Sequence, residues 1–298
     1  MYRQDEIEVT SELVRPQNIV DLDVRSMALD RIVAVRLLTP ADWSPDSDRR
    51  WPVIYLLHGG DDGPKCWTDH TDIAAKALRD DVLVVLPDGG RAGFYTRWRG
   101  PDQRGSTPDW PTFHLVELRG LIERRYRGGA ARAVAGVSMG GYGALVYAAK
   151  HPGLFAAAAS YSGIVHTTRF GTPTLIRRYL HSVGERQSCM WGARWTHRGR
   201  WRDNDPYLLA RALLGTPIYL GAGNGHRVAG DPPAPGDRLL ERLIGPASRD
   251  LAKRLAALGE PATTSFGAGT HDWPAWQREL NRSWPFLLNA LESVRTPT

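Results

Sequence analysis

Lysine is nearly missing from this sequence. Only Lys65, Lys76, Lys150 and Lys253 occur among 38 basic residues, so the positive side of the +6 formal charge is almost all arginine. The arginines are scattered, apart from Arg194, Arg198, Arg200 and Arg202, and the pattern argues against a nucleic-acid partner. Attraction to anionic surfaces or substrates stays open. Cysteine is scarcer still. Cys66 and Cys189 lie far apart without metal-ligand spacing, so free thiols are expected rather than a disulfide or a metal site. No apolar run is long enough to span a membrane, which excludes stable insertion as a helix. The opening residues, Met1 to Glu8, are acidic and polar, unlike a signal peptide; the expectation is a cytoplasmic protein, or a secreted one if a leader has been removed. No internal repeat or low-complexity tract is visible. With 298 residues, 42% hydrophobic and 23% charged, the chain fits one large α/β domain covering 1–298.

What is present is organised around residues 133–145, Ala-Val-Ala-Gly-Val-Ser-Met-Gly-Gly-Tyr-Gly-Ala-Leu. A short apolar strand meets a turn of small residues with Ser138 at its apex, and a helix follows at once. Gly-x-Ser-x-Gly between strand and helix is the pattern of a nucleophile elbow. A serine in so tight a turn has strained backbone angles, so its neighbours must be nearly free of side chain. Gly136 and Gly140 supply that room, and Gly141 lets the new helix approach the sheet. The hydroxyl then stands over a helix N-terminus that favours developing negative charge.

Either side of the elbow, strands alternate with helices. Residues 18–24 and 31–38 alternate apolar with polar and predict an antiparallel hairpin at a sheet edge. Residues 52–57, 81–86, 154–160 and 217–221 are continuous apolar runs of the kind buried on both faces of a parallel sheet, and 262–266 is the last strand. Helices are expected over 71–78, 112–126, 139–150, 237–258 (interrupted near Gly245-Pro246) and 273–291. The rhythm breaks over 164–213, a segment rich in Trp, Arg and Gly that reads as an insertion walling or capping a pocket. The order argues an open, mostly parallel α/β sheet with helices on both faces.

A serine hydroxyl needs a base, a group to orient that base, and donors for the oxyanion. In this chain order the acid and the histidine follow the serine. His271 lies directly after the last strand, in Gly-Ala-Gly-Thr-His-Asp-Trp, where small residues let the imidazole reach back over the sheet. The acid should follow the strand ending near Gly221, which leaves Asp231, Asp237 and Glu241 without a choice among them. Met139 supplies one oxyanion N–H. The glycine loop His58-Gly59-Gly60 supplies the other, assigned to Gly60. No metal or organic cofactor is needed.

These residues resemble the antigen 85 mycolyltransferases and the wider esterase D group of α/β-hydrolases. The likeness runs from about Pro52 to Trp284. It is carried by Pro87-Asp88-Gly89-Gly90 with Phe94-Tyr95 and Trp98, by Thr112-Phe113 with Glu117-Leu118, and by Met190-Trp191-Gly192 and Asn204-Asp205-Pro206. Gly223-Asn224-Gly225 and Gly269-Thr270-His271 with Trp273 and Trp276 complete it. The resemblance implies Ser138 as nucleophile, His271 as base and Gly60 and Met139 as oxyanion donors. Through its offset from Gly-Asn-Gly, it also implies Glu241 as the acid. The family's trehalose-binding aspartate and arginine fall at His58 and Asp61, so those charges are absent or reversed here. Substrate contacts are expected from His58, Asp61, Trp98 and Trp273, with Trp191 and Trp276 as further lining. The expected activity is a serine esterase acting on a small-molecule or lipid ester. The alternatives are acyl transfer to a sugar, alcohol or amine, and a binding relative without catalysis.

Overall fold

A computed structural model describes residues 7–232 and 235–295. Its strands are β1 (Glu8–Arg15), β2 (Ile19–Ser26), β3 (Arg31–Leu38), β4 (Trp51–Leu57), β5 (Leu83–Pro87), β6 (Gly128–Val137), β7 (Ala157–Tyr161), β8 (Ile218–Ala222) and β9 (Thr263–Phe266). They form one sheet in the order β1-β2-β3-β5-β4-β6-β7-β8-β9. The six strands from β5 to β9 along that order run parallel, and β1 to β3 join them as an antiparallel meander through β3 against β5. The chain starts the parallel part at β4, steps one way to β5 and then back past β4 to β6. That reversal opens a crevice beyond the carboxyl ends of the strands. The loops after β4, β6 and β9 therefore face one another.

Why both faces are covered follows from side-chain alternation. Val53, Tyr55 and Leu57 of β4 enter one apolar core, while Ile54 and Leu56 between them enter another. The first core is closed by α1 (Met139–Lys150) and Leu251 and Leu255 of α3 (Pro235–Ala257). The second is closed by Leu280, Leu287 and Leu291 of α4 (Trp273–Arg295) and by the short helix Ile73–Arg79. Between β7 and β8 the chain makes a long excursion that includes α2 (Thr172–Ser182). Cys66 and Cys189 are free thiols, the first buried and the second half-buried. Among the described residues no helix is long and apolar enough to cross a membrane.

Three expectations need correction. The hairpin of β2 and β3 is not at the edge, because β1 pairs outside β2. Seven of the eight β1 residues are exposed, so no buried periodicity announces that strand. Helix α3 is not interrupted at Gly245-Pro246, since Pro246 lies inside it. The helical stretch around 110–125 is also not regular. It widens to a π-helix over Phe113–Leu118, which turns His114 and Glu117 inward beside the expected Phe113, Leu115 and Leu118. Glu117 is satisfied there by the Ala28 N–H at 2.8 Å and the Ser26 hydroxyl at 2.5 Å.

Candidate active site

Ser138 sits between β6 and α1 with φ 52° and ψ −114°, a region that a side-chain-bearing residue occupies only when its surroundings enforce it. The enforcement is visible in the glycines. A Cβ on Gly136 would come within 2.9 Å of the Gly140 Cα, and one on Gly140 within 2.7 Å of the His58 carbonyl oxygen. A Cβ on Gly141 would meet the Ser160 hydroxyl at 2.7 Å. Strand, helix and the loop after β4 thus close on one another with only hydrogen atoms between them.

The Ser138 Oγ lies 2.9 Å from His271 Nε2, and His271 Nδ1 lies 2.8 Å from Glu241 Oε2. Glu241 is fully buried on α3, and its other oxygen accepts from the Ser162 hydroxyl at 2.9 Å and the Gly223 N–H at 2.6 Å. With Glu241 accepting at Nδ1, that nitrogen carries the imidazole hydrogen and the Nε2 lone pair is left for the serine proton. The Trp276 ring stands edge-on to the imidazole, 5.0 Å away, and the main-chain N–H of His271 donates to the Asp237 carbonyl. Of the three acids that the chain order left open, Asp231 is engaged by both Arg278 nitrogens at 2.8 and 2.9 Å, and that guanidinium holds its carboxyl below the ordinary range. Asp237 faces the cavity, where burial raises its carboxyl.

The cavity over Ser138 holds about 380 Å³. Ser138, Met139 and His271 line it together with Gly59 and Gly60 of the loop after β4. Met139 opens α1, so its N–H has no partner within the helix. Apolar walls come from Ile164, Leu175 and Ile176 on one side and Leu240 and Ile244 of α3 on another, with Trp273 and Trp276 beside His271. Tyr179 of α2 leans on Gly60, where a Cβ would lie 2.6 Å from the ring carbon bearing its hydroxyl. Leu175, Ile176, Tyr179, Leu240 and Ile244 were not anticipated. A helical repeat of apolar residues says that a face is buried, not what it faces.

Of the four expected substrate contacts, Trp273 lines this cavity and the other three do not. Trp98 is buried with its indole N–H on the Gly93 carbonyl at 3.0 Å, and it borders a different cleft. Asp61 turns outward and pairs with Arg91 at 2.6 Å. His58 is buried beneath the loop: Nδ1 lies 2.7 Å from the Gly59 carbonyl, and Nε2 accepts the Gly89 N–H at 2.7 Å. Trp191, the further candidate, is fully buried in the core.

His58 belongs to a tier of buried groups that fixes the loop from below. The Tyr95 hydroxyl donates to the His58 carbonyl at 2.9 Å. One step further down, His114 has Nε2 2.8 Å from the Asp88 carbonyl and Nδ1 2.7 Å from the Tyr147 hydroxyl, so it supports the turn that holds Gly89. Burial pushes His114 from 6.5 down to about 4. Between those two values the unfolded chain binds a proton there that the folded chain refuses. Stability is therefore full above pH 6.5 and falls as the pH drops toward 4, by about 3 kcal/mol over the window. Urea unfolding at neutral pH and in mild acid should show this slope, and His114→Gln should flatten it. An unchanged slope in that variant would mean that the imidazole is not the titrating group.

Comparison with known proteins now decides the family. Residues 26–287 match the family described as "Putative esterase". This chain belongs to that esterase family. It is 31% identical over 284 residues to the diacylglycerol acyltransferase/mycolyltransferase Ag85B of Mycobacterium leprae, covering 92% of this chain and 84% of that protein. It is 33% identical over 247 residues to the esterase Rv1288 of Mycobacterium tuberculosis, covering 80% of this chain and 52% of that longer protein. Among solved structures, MPT51 of Mycobacterium tuberculosis superposes with a TM-score of 0.74 at 26% identity, covering 91% of this chain and 97% of that one. The fluorophosphonate-binding serine hydrolase FphF of Staphylococcus aureus shares the fold, with a TM-score of 0.69 at 16% identity and coverage of 91% and 98%. The relatives named here thus include an esterase and a diacylglycerol acyltransferase/mycolyltransferase, and the chain has the α/β-hydrolase fold.

Proposed function

We propose that this esterase-family chain hydrolyses a carboxylic ester through an acyl-enzyme on Ser138. The observation that carries the proposal is the unbroken hydrogen-bonded series from Ser138 through His271 to Glu241, set at the floor of an apolar cavity. His271 Nε2 takes the serine proton as Oγ attacks the ester carbonyl, and Glu241 steadies the imidazolium that results. The oxyanion is received by the N–H groups of Met139 and Gly60. Collapse expels the alcohol, which leaves with the proton from His271, and water repeats the sequence to release the acid. Leu175, Ile176, Leu240 and Ile244 suit an apolar acyl chain, in keeping with a lipid or other small-molecule ester. We read 1–298 as a single domain, with 164–213 as the wall of this pocket.

Water is favoured over a sugar acceptor by two residues. Where the mycolyltransferases carry trehalose-binding charges, His58 is buried with both ring nitrogens engaged and Asp61 is paired with Arg91. The test is a pre-steady-state run with p-nitrophenyl esters of graded chain length, with and without sugars, trehalose included. A burst equal to the enzyme concentration, followed by turnover indifferent to the sugar, is the expected result. Turnover accelerated by a sugar would make the protein an acyltransferase. Absence of any burst together with no labelling by a fluorophosphonate would overturn catalysis at this serine.

A further inference from the structure

The segment 164–213 carries nine arginines and no lysine, against three acids, Glu185, Asp203 and Asp205. Its surplus of six equals the formal net charge of the whole chain. The remainder holds 29 basic and 29 acidic residues (38 less nine, 32 less three), which cancel. All of the net charge therefore sits on one excursion between two neighbouring strands. Little of it is neutralised locally. Among the described residues, Arg169 is the one arginine of the nine in an ion pair, with Asp250 at 3.6 Å, and the buried Asp205 accepts from the Thr168 N–H and hydroxyl and from the Leu208 N–H.

The same segment exposes its two most accessible aromatics. Phe170 is 99% exposed and Trp195 73% exposed, so neither is kept by core packing. The Arg194 and Arg198 guanidinium carbons each stand 5.5 Å from the Trp195 ring centre. These three residues, with Arg202, border a surface hollow of about 390 Å³. Arg194 also reaches the Thr168 carbonyl at 3.4 Å, which brings the stretch leading to Phe170 against this cluster. Arg177 and Arg178 of α2, a few residues on, are exposed as well.

We propose that this arginine and aromatic face docks the protein onto an anionic lipid surface. Exposed arginine meets the phosphate headgroups, while Phe170 and Trp195 enter the boundary between headgroups and acyl chains. Charge alone would serve equally for an anionic polymer; the fully exposed phenylalanine points to lipid, because a soluble polyanion gives its ring nothing apolar to enter. Phe170 lies two residues before α2, whose Leu175 and Ile176 wall the cavity over Ser138. Docking would bring that wall to the interface where a lipid ester resides. Only this last consequence rests on the proposed hydrolysis; the surface itself does not.

The experiment is flotation of the full chain with vesicles of phosphatidylcholine, with and without phosphatidylglycerol, at low and high salt. Binding should require phosphatidylglycerol and weaken with salt. Replacing Arg194, Arg198 and Arg202 together by Gln should weaken it about a hundredfold. Phe170→Ser with Trp195→Ser should weaken it at low salt too, where charge attraction is intact. Both variants should keep the wild-type melting temperature and turnover of a soluble short-chain ester, which excludes unfolding as the cause. Equal binding to both vesicle types, or variants that bind like the wild type, would overturn the proposal. So would vesicle binding that dextran sulfate abolishes and the aromatic substitutions leave untouched, the pattern of a polymer site. A chain that binds vesicles but turns over no ester would sink the hydrolase and leave the docking face standing.

Discussion

Ser138→Ala is expected to lower kcat on a short-chain ester by about six orders of magnitude and to abolish the burst, while leaving the fold intact. The size follows from the cooperation of the site. The imidazole and carboxylate serve only to move the proton of this hydroxyl, so removing the oxygen idles both at once. What survives is the small acceleration due to binding and the oxyanion donors, on the order of 10³ over water. The methyl group of alanine fits wherever the Ser138 Cβ already lies, and the side-chain hydrogen bond lost is the one to His271. Circular dichroism and melting should therefore match the wild type. A variant retaining a tenth of the activity would show that another group attacks the ester.

Glu241→Gln is expected to cost about four orders of magnitude in kcat, although it changes neither volume nor shape. The reason lies in what surrounds the carboxylate. Oε1 accepts from Ser162 and from the Gly223 N–H, and Oε2 accepts from His271. Three donors thus point at one group that only accepts. A glutamine has a single oxygen and an NH₂. If its oxygen stays with Ser162 and Gly223, its NH₂ faces Nδ1, forces the hydrogen onto Nε2 and leaves no lone pair for the serine proton. If the amide flips, its NH₂ meets the Gly223 N–H instead, and two donors confront each other in a dry interior. Either way the site is impaired, so Gln should be nearly as poor as Ala. The check is steady-state kinetics of both variants beside their urea midpoints. Near wild-type turnover in Glu241→Gln would remove this residue from the mechanism.

The parts of the fold legible in the sequence are those in which burial writes a pattern. Strands β4, β5, β7 and β8 are wholly buried runs, and each was visible as such. Strand β1 was invisible because seven of its eight residues are exposed, so its pairing with β2 leaves no apolar alternation to read. The π turn was likewise hidden, since one extra residue in a helical turn leaves no compositional mark. At the site, Ser138 and His271 were legible from position: one at an elbow, the other after the last strand. The acid was not. Asp231, Asp237 and Glu241 all follow the right strand, and family resemblance had to single out Glu241, the one whose side chain faces Nδ1. Three of the four expected substrate contacts lie away from the cavity over Ser138. His58 and Asp61 were named through the family resemblance and Trp98 as an aromatic near the site, yet their directions depend on partners more than 25 residues away in sequence or on burial that no local pattern encodes.

The excursion between β7 and β8 leaves one strand and returns to its immediate neighbour, so both of its ends are held by the same pair of rungs. Such a stretch can be lengthened, shortened or exchanged without disturbing the order of any other strand. In this chain it supplies part of the cavity wall and all of the surplus charge. On the two proposals made above, one contiguous piece of coding sequence contributes both to which ester fits and to where the protein settles. Those two traits are inherited together, and recombination at its two ends would move them as a unit onto another hydrolase sheet.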